Sequence, residues 1–382
     1  MGAPGLRVAL VHSFYSSRSP SGENIAVQQQ ANALRRAGYT VEVFAQRTDE
    51  RERRKLYPLQ AAWHVSSGKG PRPDMAQFTP DIIHVHNLFP NYGKEWIRDS
   101  TVPVVASLHN YRPLCSAGIF FRDGHTCTDC LDKRSSLPGV LHGCYKGRLQ
   151  SVPVAIGQRF ENDQLLAGAD AVISLSGQMR SFYERAGVPA EKIHVLPNFL
   201  PTDLDVGLGV GGDYWLYAGR LSEEKGILPL VSEWPEDHRL LVVGSGEQER
   251  ELLELNRKNV TFIGPTSRPR LLELMRGALG LVFPSRCYEG FPMVYVEAMS
   301  SGTPVLTWEP SVVASLVREE RTGMAAKGLD LQTTLSVAAT EFPNLRNHCR
   351  QVFESTYTED SWMNRLGRIY AAVQTNSGGQ GR

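Results

Sequence analysis

The sequence predicts an α/β protein built from two facing, doubly wound (Rossmann-like) domains, and three observations predict it. Short continuous apolar runs alternate with helical segments along almost the whole chain, which is the pattern of parallel strands buried on both faces. The series breaks in a Pro-, Gly- and Asp-rich stretch, Leu200 to Gly212, and then starts again. With 382 residues, each half has room for its own core.

The first series, residues 1–199, opens with a strand at Arg7–His12 and a helix from Glu23 to Ala37, closed by Gly38 in a C-terminal cap position. Strands follow at Thr40–Ala45, Asp81–His86, Val102–His109 and Ala171–Ser176. Between the last two lies a loop-rich insertion, 111–147, that carries four cysteines. The run Arg47 to Lys55 is dense in charges of both signs and reads as a solvated helix face. The second series, residues 200–355, places strands at Tyr214–Arg220, Arg239–Gly244, Val260–Gly264, Leu279–Pro284 and Thr303–Thr307. The final residues 376–382 are rich in Gly, Gln and Ser and read as disordered. Open α/β sheets bind ligands outside the carboxyl ends of their strands, so two such domains predict a cleft lined by those ends.

Composition narrows the partners. Lys plus Arg (41) nearly cancels Asp plus Glu (40), so no global field favours nucleic acid. No leader-like start is evident, and no apolar run approaches the ~20 residues that span a bilayer. The expectation is a cytoplasmic protein without a transmembrane segment; peripheral membrane contact stays open.

The densest chemistry lies between Arg286 and Gly302. Glu289 sits just before a helix expected to start near Phe291 and Pro292, since proline suits a first helical turn. Glu297, one turn further in, is the only charge among Met293, Val294, Tyr295, Val296, Ala298 and Met299, and a buried carboxylate is costly unless something polar meets it. Free N–H groups at the helix start favour an anion. Together these suit a phosphate flanked by hydroxyl-bearing sugars. Arg220 ends a strand and Lys225 follows before Gly226, giving two cations suited to a diphosphate; pairing with Glu223 and Glu224 is the plainer reading. In Ser19-Pro20-Ser21-Gly22-Glu23, Gly22 would let backbone approach an anion, with Ser21 as helix cap; a single glycine does not make the dinucleotide fingerprint. Two further strand ends open into polar groups suited to hydroxyls and anions: His84-Val85-His86 into Asn87, and Ser107-Leu108-His109 into Asn110, Tyr111 and Arg112.

The set resembles the retaining nucleotide-sugar glycosyltransferases of glycosyltransferase family 4, which have the GT-B architecture, and the resemblance covers nearly the whole chain. Glu289 and Glu297 match the family's pair of glutamates with seven residues between them, within Glu289-Gly290-Phe291-Pro292-Met293 and Glu297-Ala298-Met299. Arg220 and Lys225 match its diphosphate-binding pair, Gly22 its amino-terminal glycine loop and His109 its active-site histidine. The resemblance implies that Glu289 and His109 meet the donor sugar, Glu297 the ribose, and Arg220 and Lys225 the phosphates. Gly290, Phe291, Pro292 and Met293 would complete the donor seat. It implies a final helix, 356–375, that crosses back to the first domain, and acceptor contacts on that domain from His86, Asn87, Phe89, Pro90, Tyr92, Asn110, Tyr111 and Arg112. A UDP-sugar is the default donor, and the acceptor is open. No cofactor is expected for catalysis, since Asp203-Leu204-Asp205 lies in the linker and the cations would replace a metal. The competing readings are a nucleotide-sugar epimerase of the same shape and a non-catalytic, zinc-stapled binding protein.

Cys127-Thr128-Asp129-Cys130 has a short chelate spacing, and Cys115 and Cys144 could complete a structural zinc site; two disulfides or four thiols are the alternatives. Cys287 and Cys349 stand apart as ordinary core residues.

Overall fold

The computed structural model describes residues 5–15, 22–204, 207–328 and 330–379. The chain forms two compact units: Met1–Phe120 with Thr128–Asn198 and Asp360–Arg382, and Phe121–Cys127 with Phe199–Glu359. The strands, in chain order, are β1 (Arg7–Phe14), β2 (Thr40–Arg47), β3 (Ile82–Asn87), β4 (Val104–Leu108), the antiparallel hairpin β5 (Phe121–Arg122) and β6 (His125–Thr126), β7 (Ala171–Ser174) and β8 (Ile193–Val195). Then come β9 (Tyr214–Ala218), β10 (Arg239–Val243), β11 (Val260–Gly264), β12 (Gly280–Phe283), β13 (Val305–Trp308) and β14 (Gly323–Ala326).

In the first unit the order is β2-β1-β3-β4-β7-β8, all parallel. The strand direction of travel reverses between β1 and β3, so their carboxyl ends form the switch point where ligands bind such sheets. Central strands β3, β4 and β7 are buried throughout, as continuous apolar runs demand, while the edge strand β2 is half exposed. The helix Gly22–Arg36 follows β1, and Gly38 turns the chain with φ of 89°. The Arg47–Lys55 run forms only the short helix Thr48–Arg51 and then a turn.

The second unit has the order β11-β10-β9-β12-β13-β14, again parallel, with its switch point between β9 and β12. Its core gathers Trp215, Tyr217, Trp234, Leu306 and Phe342 around the sheet.

Several expectations are corrected. Leu200 to Gly212 is a strap docked on the second unit rather than a free linker: Gly209 N–H donates to the Ser301 carbonyl at 3.1 Å and Gly211 N–H to the Arg276 carbonyl at 3.2 Å. Asp205 lies outside the described residues, as does Ser21. Insertion 111–147 is not one loop, because its hairpin clusters with the second unit while helices Asp129–Asp132 and Leu137–Leu141 stay with the first. The closing helix runs from Glu359 to Gly379, so 376–379 are helical, and 380–382 lie outside the described residues. Among the described residues no three or more His, Cys, Asp or Glu side chains are arranged to hold a metal ion. Cys115 and Cys130 are buried, and Cys127 and Cys144 are half-buried. No described helix is long and apolar enough to cross a membrane.

Candidate functional site

After β9 the chain buries Leu221 and Ser222, makes a tight turn over Glu223–Lys225 and leaves through Gly226 at φ of 68°. Only glycine fits there, because a Cβ would stand 2.3 Å from the Pro284 carbonyl oxygen. That close approach zips the turn to the loop after β12: Arg286 N–H donates to the Glu224 carbonyl at 2.8 Å. The result is an ion pair of Lys225 Nζ with Glu289 Oε2 at 2.7 Å, and Ser285 Oγ donates to Glu289 Oε1 at 2.7 Å. Both members are half-buried. Arg220 pairs with Glu224 at 2.7 Å but leaves its side chain 69% exposed, so the plainer pairing and an open guanidinium coexist.

The helix Met293–Ser300 starts one residue after Pro292, which stands at its N-cap, with Phe291 buried and Gly290 half-buried before it. Glu297 is buried, and Arg268 Nε donates to its Oε1 at 2.8 Å. Burial pushes the Glu297 carboxyl above its ordinary value, and Arg268 pulls it partly back. Arg268 was not anticipated. Its signal in the sequence is slight: Pro269 marks the start of the helix Arg268–Gly277 after β11, and a buried carboxylate on a neighbouring helix requires a cation.

At the switch point of the first unit the histidines are neutral. His12, His84, His86 and His109 form a column: His84 and His86 rings stack at 4.6 Å, and His86 Nδ1 shares a hydrogen bond with His109 Nε2 at 2.9 Å. His84 Nδ1 accepts from Tyr370 OH (2.7 Å) and Gln30 Nε2 (2.9 Å), so its Nε2 keeps the proton and donates to Ser107 Oγ. Burial, with no carboxylate among the causes, lowers His12 to about 4 and His84 and His109 to about 3, and holds His86 well below the ordinary imidazole value. His86, Asn87, His109, Asn110 and Arg112 line a small cavity of about 50 Å³. Asn87 Nδ2 donates to Tyr15 OH, and Asn110 Nδ2 reaches Glu23 Oε2 at 3.3 Å.

Two acceptor-side expectations fail. Tyr111 is fully buried in an aromatic cluster with Phe120, Phe182 and Tyr183, and Tyr92 is buried too, because rings of that size serve a core better than a mouth. Gly22 opens its helix, and among the described residues no atom stands within 4 Å of where its Cβ would be. Glu23, beside it, was missed as a functional group. Burial pushes its carboxyl up to about 7 against opposing help from Asn110, Asn87 and Arg112, and among the described residues its buried Oε1 has no hydrogen-bond partner.

Comparison with known proteins follows this geometry. The family described as Glycosyltransferase Family 4 matches residues 20–204, and that described as Glycosyl transferases group 1 matches residues 212–340. A D-inositol 3-phosphate glycosyltransferase of Nocardia farcinica is 28% identical over 206 residues, and the match spans 46% of either chain. One from Xylanimonas cellulosilytica is 24% identical over 390 residues, spanning 86% of either. Anabaena HepE, solved with UDP and glucose, has the same fold at a TM-score of 0.58 and 14% identity, covering 96% of this chain and 100% of that one. Two parallel sheets of doubly wound order, matched in turn by two glycosyltransferase families, lead to one assignment: the protein belongs to glycosyltransferase family 4 and has the GT-B fold.

Proposed function

We propose that the chain moves a sugar from a nucleoside-diphosphate sugar, preferentially a UDP-sugar, to an acceptor hydroxyl with retention of anomeric configuration. The observation that carries this reading is the Lys225–Glu289 pair at the β9/β12 switch point, with the open Arg220 guanidinium on the same loop. An arriving diphosphate draws both cations, and Glu289 then turns its acceptor oxygens to the sugar hydroxyls. Glu297, held by Arg268, accepts from the ribose. As the C1–O bond to the diphosphate breaks, the cations stabilise the negative charge that grows on the departing phosphate. The acceptor oxygen bonds to C1 on the same face, and its proton passes to a phosphate oxygen. The UDP and glucose bound in the HepE structure support a UDP-sugar as donor.

The test is to incubate the protein with UDP-glucose and other UDP- and GDP-sugars and follow products by proton NMR. Free UDP and a sugar released first as the donor's own anomer are expected. The inverted anomer would overturn retention; interconversion to another UDP-sugar would make the protein an epimerase, and binding without turnover a binding module.

A further inference from the structure

Two helices of the first unit, Tyr57–Ser67 and Arg148–Gly157, pack against each other and touch backbone to backbone, since a Cβ on Gly157 would stand 1.9 Å from the Val65 carbonyl oxygen. Away from that pinch they enclose a groove of about 900 Å³. Leu59, Ala62, Trp63, Leu149, Val152 and Ile156 line it. Leu59 is 71% exposed, Trp63 61% and Leu149 84%. Apolar residues scattered singly over a surface need no explanation, but a set lining one groove between two helices does. The volume is that of a ligand site rather than a packing defect.

Polar residues line the same groove: Tyr15, Thr48, Gln150, the cations Arg112 and Lys146, and one carboxylate, Glu52. The Arg112 guanidinium lies 4.8 Å from the Phe89 ring and 5.1 Å from the Tyr145 ring, and among the described residues its buried Nε has no hydrogen-bond partner. A planar cation fixed between two rings, with a donor left over, is suited to an anionic oxygen. Glu23, near enough to influence both Tyr15 and Arg112, adds a buried acceptor atom with no partner among the described residues.

We infer that this groove seats the acceptor, and that the acceptor is an amphiphile: a linear apolar chain lies between the two helices, with an anionic, hydroxyl-bearing head at Arg112 and Lys146. A flat bilayer surface is a poorer occupant. The groove is concave, and the nearby basic residues Arg51, Arg53, Arg54 and Lys55 are interrupted by Glu52 and preceded by Asp49 and Glu50, which weakens attraction to anionic lipid. The inference rests on the transferase reading only in calling the occupant an acceptor.

Calorimetric titration of the full chain with inorganic phosphate, butyl phosphate and dodecyl phosphate below its micelle concentration tests it, with UDP titrated into the same samples. Binding should tighten roughly three- to fourfold per added methylene until the groove is full. Ala62→Trp, which fills the groove, should weaken dodecyl phosphate at least tenfold and leave UDP binding unchanged. Leu149→Ser, at an exposed position that folding does not need, should weaken it by a smaller factor. Binding independent of chain length, or untouched by Ala62→Trp, overturns the inference. So does failure to bind dodecyl phosphate alongside sedimentation with phosphatidylglycerol–phosphatidylcholine vesicles that Leu149→Ser abolishes, because the face would then be a membrane contact. UDP binding without amphiphile binding sinks this inference alone; amphiphile binding without UDP binding sinks the transferase reading and leaves the groove.

Discussion

After β9 and β12, four charged side chains are tied into two ion pairs, Arg220–Glu224 and Lys225–Glu289; along β1, β3 and β4, four histidines are held neutral by burial. The two sheets have related topologies, but their switch points are prepared for different guests. Ion pairs in partial contact with water can exchange partners at modest cost, which under the proposed function suits the second unit to an arriving diphosphate. A column of uncharged imidazoles, bonded to one another and to Asn, Gln, Ser and Tyr, offers hydrogen bonds without a field, and beside it the polar lining gives way to an apolar groove. Position in the fold therefore sets where a ligand binds, and local charge sets which one.

The largest effect should come from the charged side. Lys225→Ala should lower turnover by about 10²–10³, as removal of one preorganised electrostatic group does. Because the Lys225 and Glu289 side chains are only 18% and 14% exposed, losing the lysine leaves a largely buried carboxylate short of its cation, and stability should fall by roughly 1–3 kcal/mol. Steady-state kinetics with UDP-sugar beside a denaturation curve measures both. A variant that folds and turns over like the parent would remove the electrostatic distinction between the two switch points.

The neutral side should appear in the acid limb of stability. The column's histidines have folded values far below the unfolded 6.5, about 4 for His12 and about 3 for His84 and His109. Their contribution is thus fully present above pH 6.5 and is lost as pH falls towards 4, because the unfolded chain takes up protons that the column refuses. Roughly 2 kcal/mol per histidine would be gone by pH 5, with less than full additivity. Urea unfolding at pH 7.5, 6.5 and 5.5 reads this directly. A flat profile would mean that the column opens to water and carries charge.

The sequence exposed these two sites unequally. Glu289, Glu297, Arg220 and Lys225 were legible because charged residues set among apolar strands and helices need a reason. Most of the strand series was legible for the same physical cause, since parallel strands buried on both faces cannot hide their composition. Edge strands β8 and β14 escaped: three and four residues long, they are partly solvated and carry little pattern. The groove escaped as well. Leu59, Trp63, Leu149 and Ile156 read in sequence as any helix core would, and only the fold shows them exposed. Tyr92 and Tyr111 erred in the opposite direction, because residues next to a strand end can face inward as readily as outward.

A smaller effect should come from Glu23, the one strongly perturbed carboxyl at the first switch point. Its folded value of about 7 lies above the ordinary 4.5, so its stability contribution is full below pH 4.5 and is lost as pH rises through 7. Glu23→Gln removes that penalty. The variant should be more stable than the parent by roughly 1–3 kcal/mol at pH 8 and nearly equal to it at pH 4. Equal stability at both pH values would mean that the carboxyl is solvated and titrates normally, which would also weaken its place beside Arg112.

The smallest effect tests how the closing helix belongs to the first unit. Tyr370 is fully buried, lies 5.8 Å from the His84 ring in an edge-on arrangement, and donates to His84 Nδ1, while Gln30 donates to the same nitrogen. Tyr370→Phe keeps the ring and its apolar contact and deletes one of two donors, so the orphan it leaves is only partial and the loss should be about 0.5–1.5 kcal/mol. Ser107→Ala removes the acceptor on the other side of the same imidazole. If His84 is held by both nitrogens as one unit, the double variant should differ from the sum of the single losses by about 0.5 kcal/mol or more, since residues in one hydrogen-bond network do not add. Simple additivity would mean that Tyr370 and Ser107 hold the ring independently, and that the closing helix stabilises the first unit through apolar contact alone.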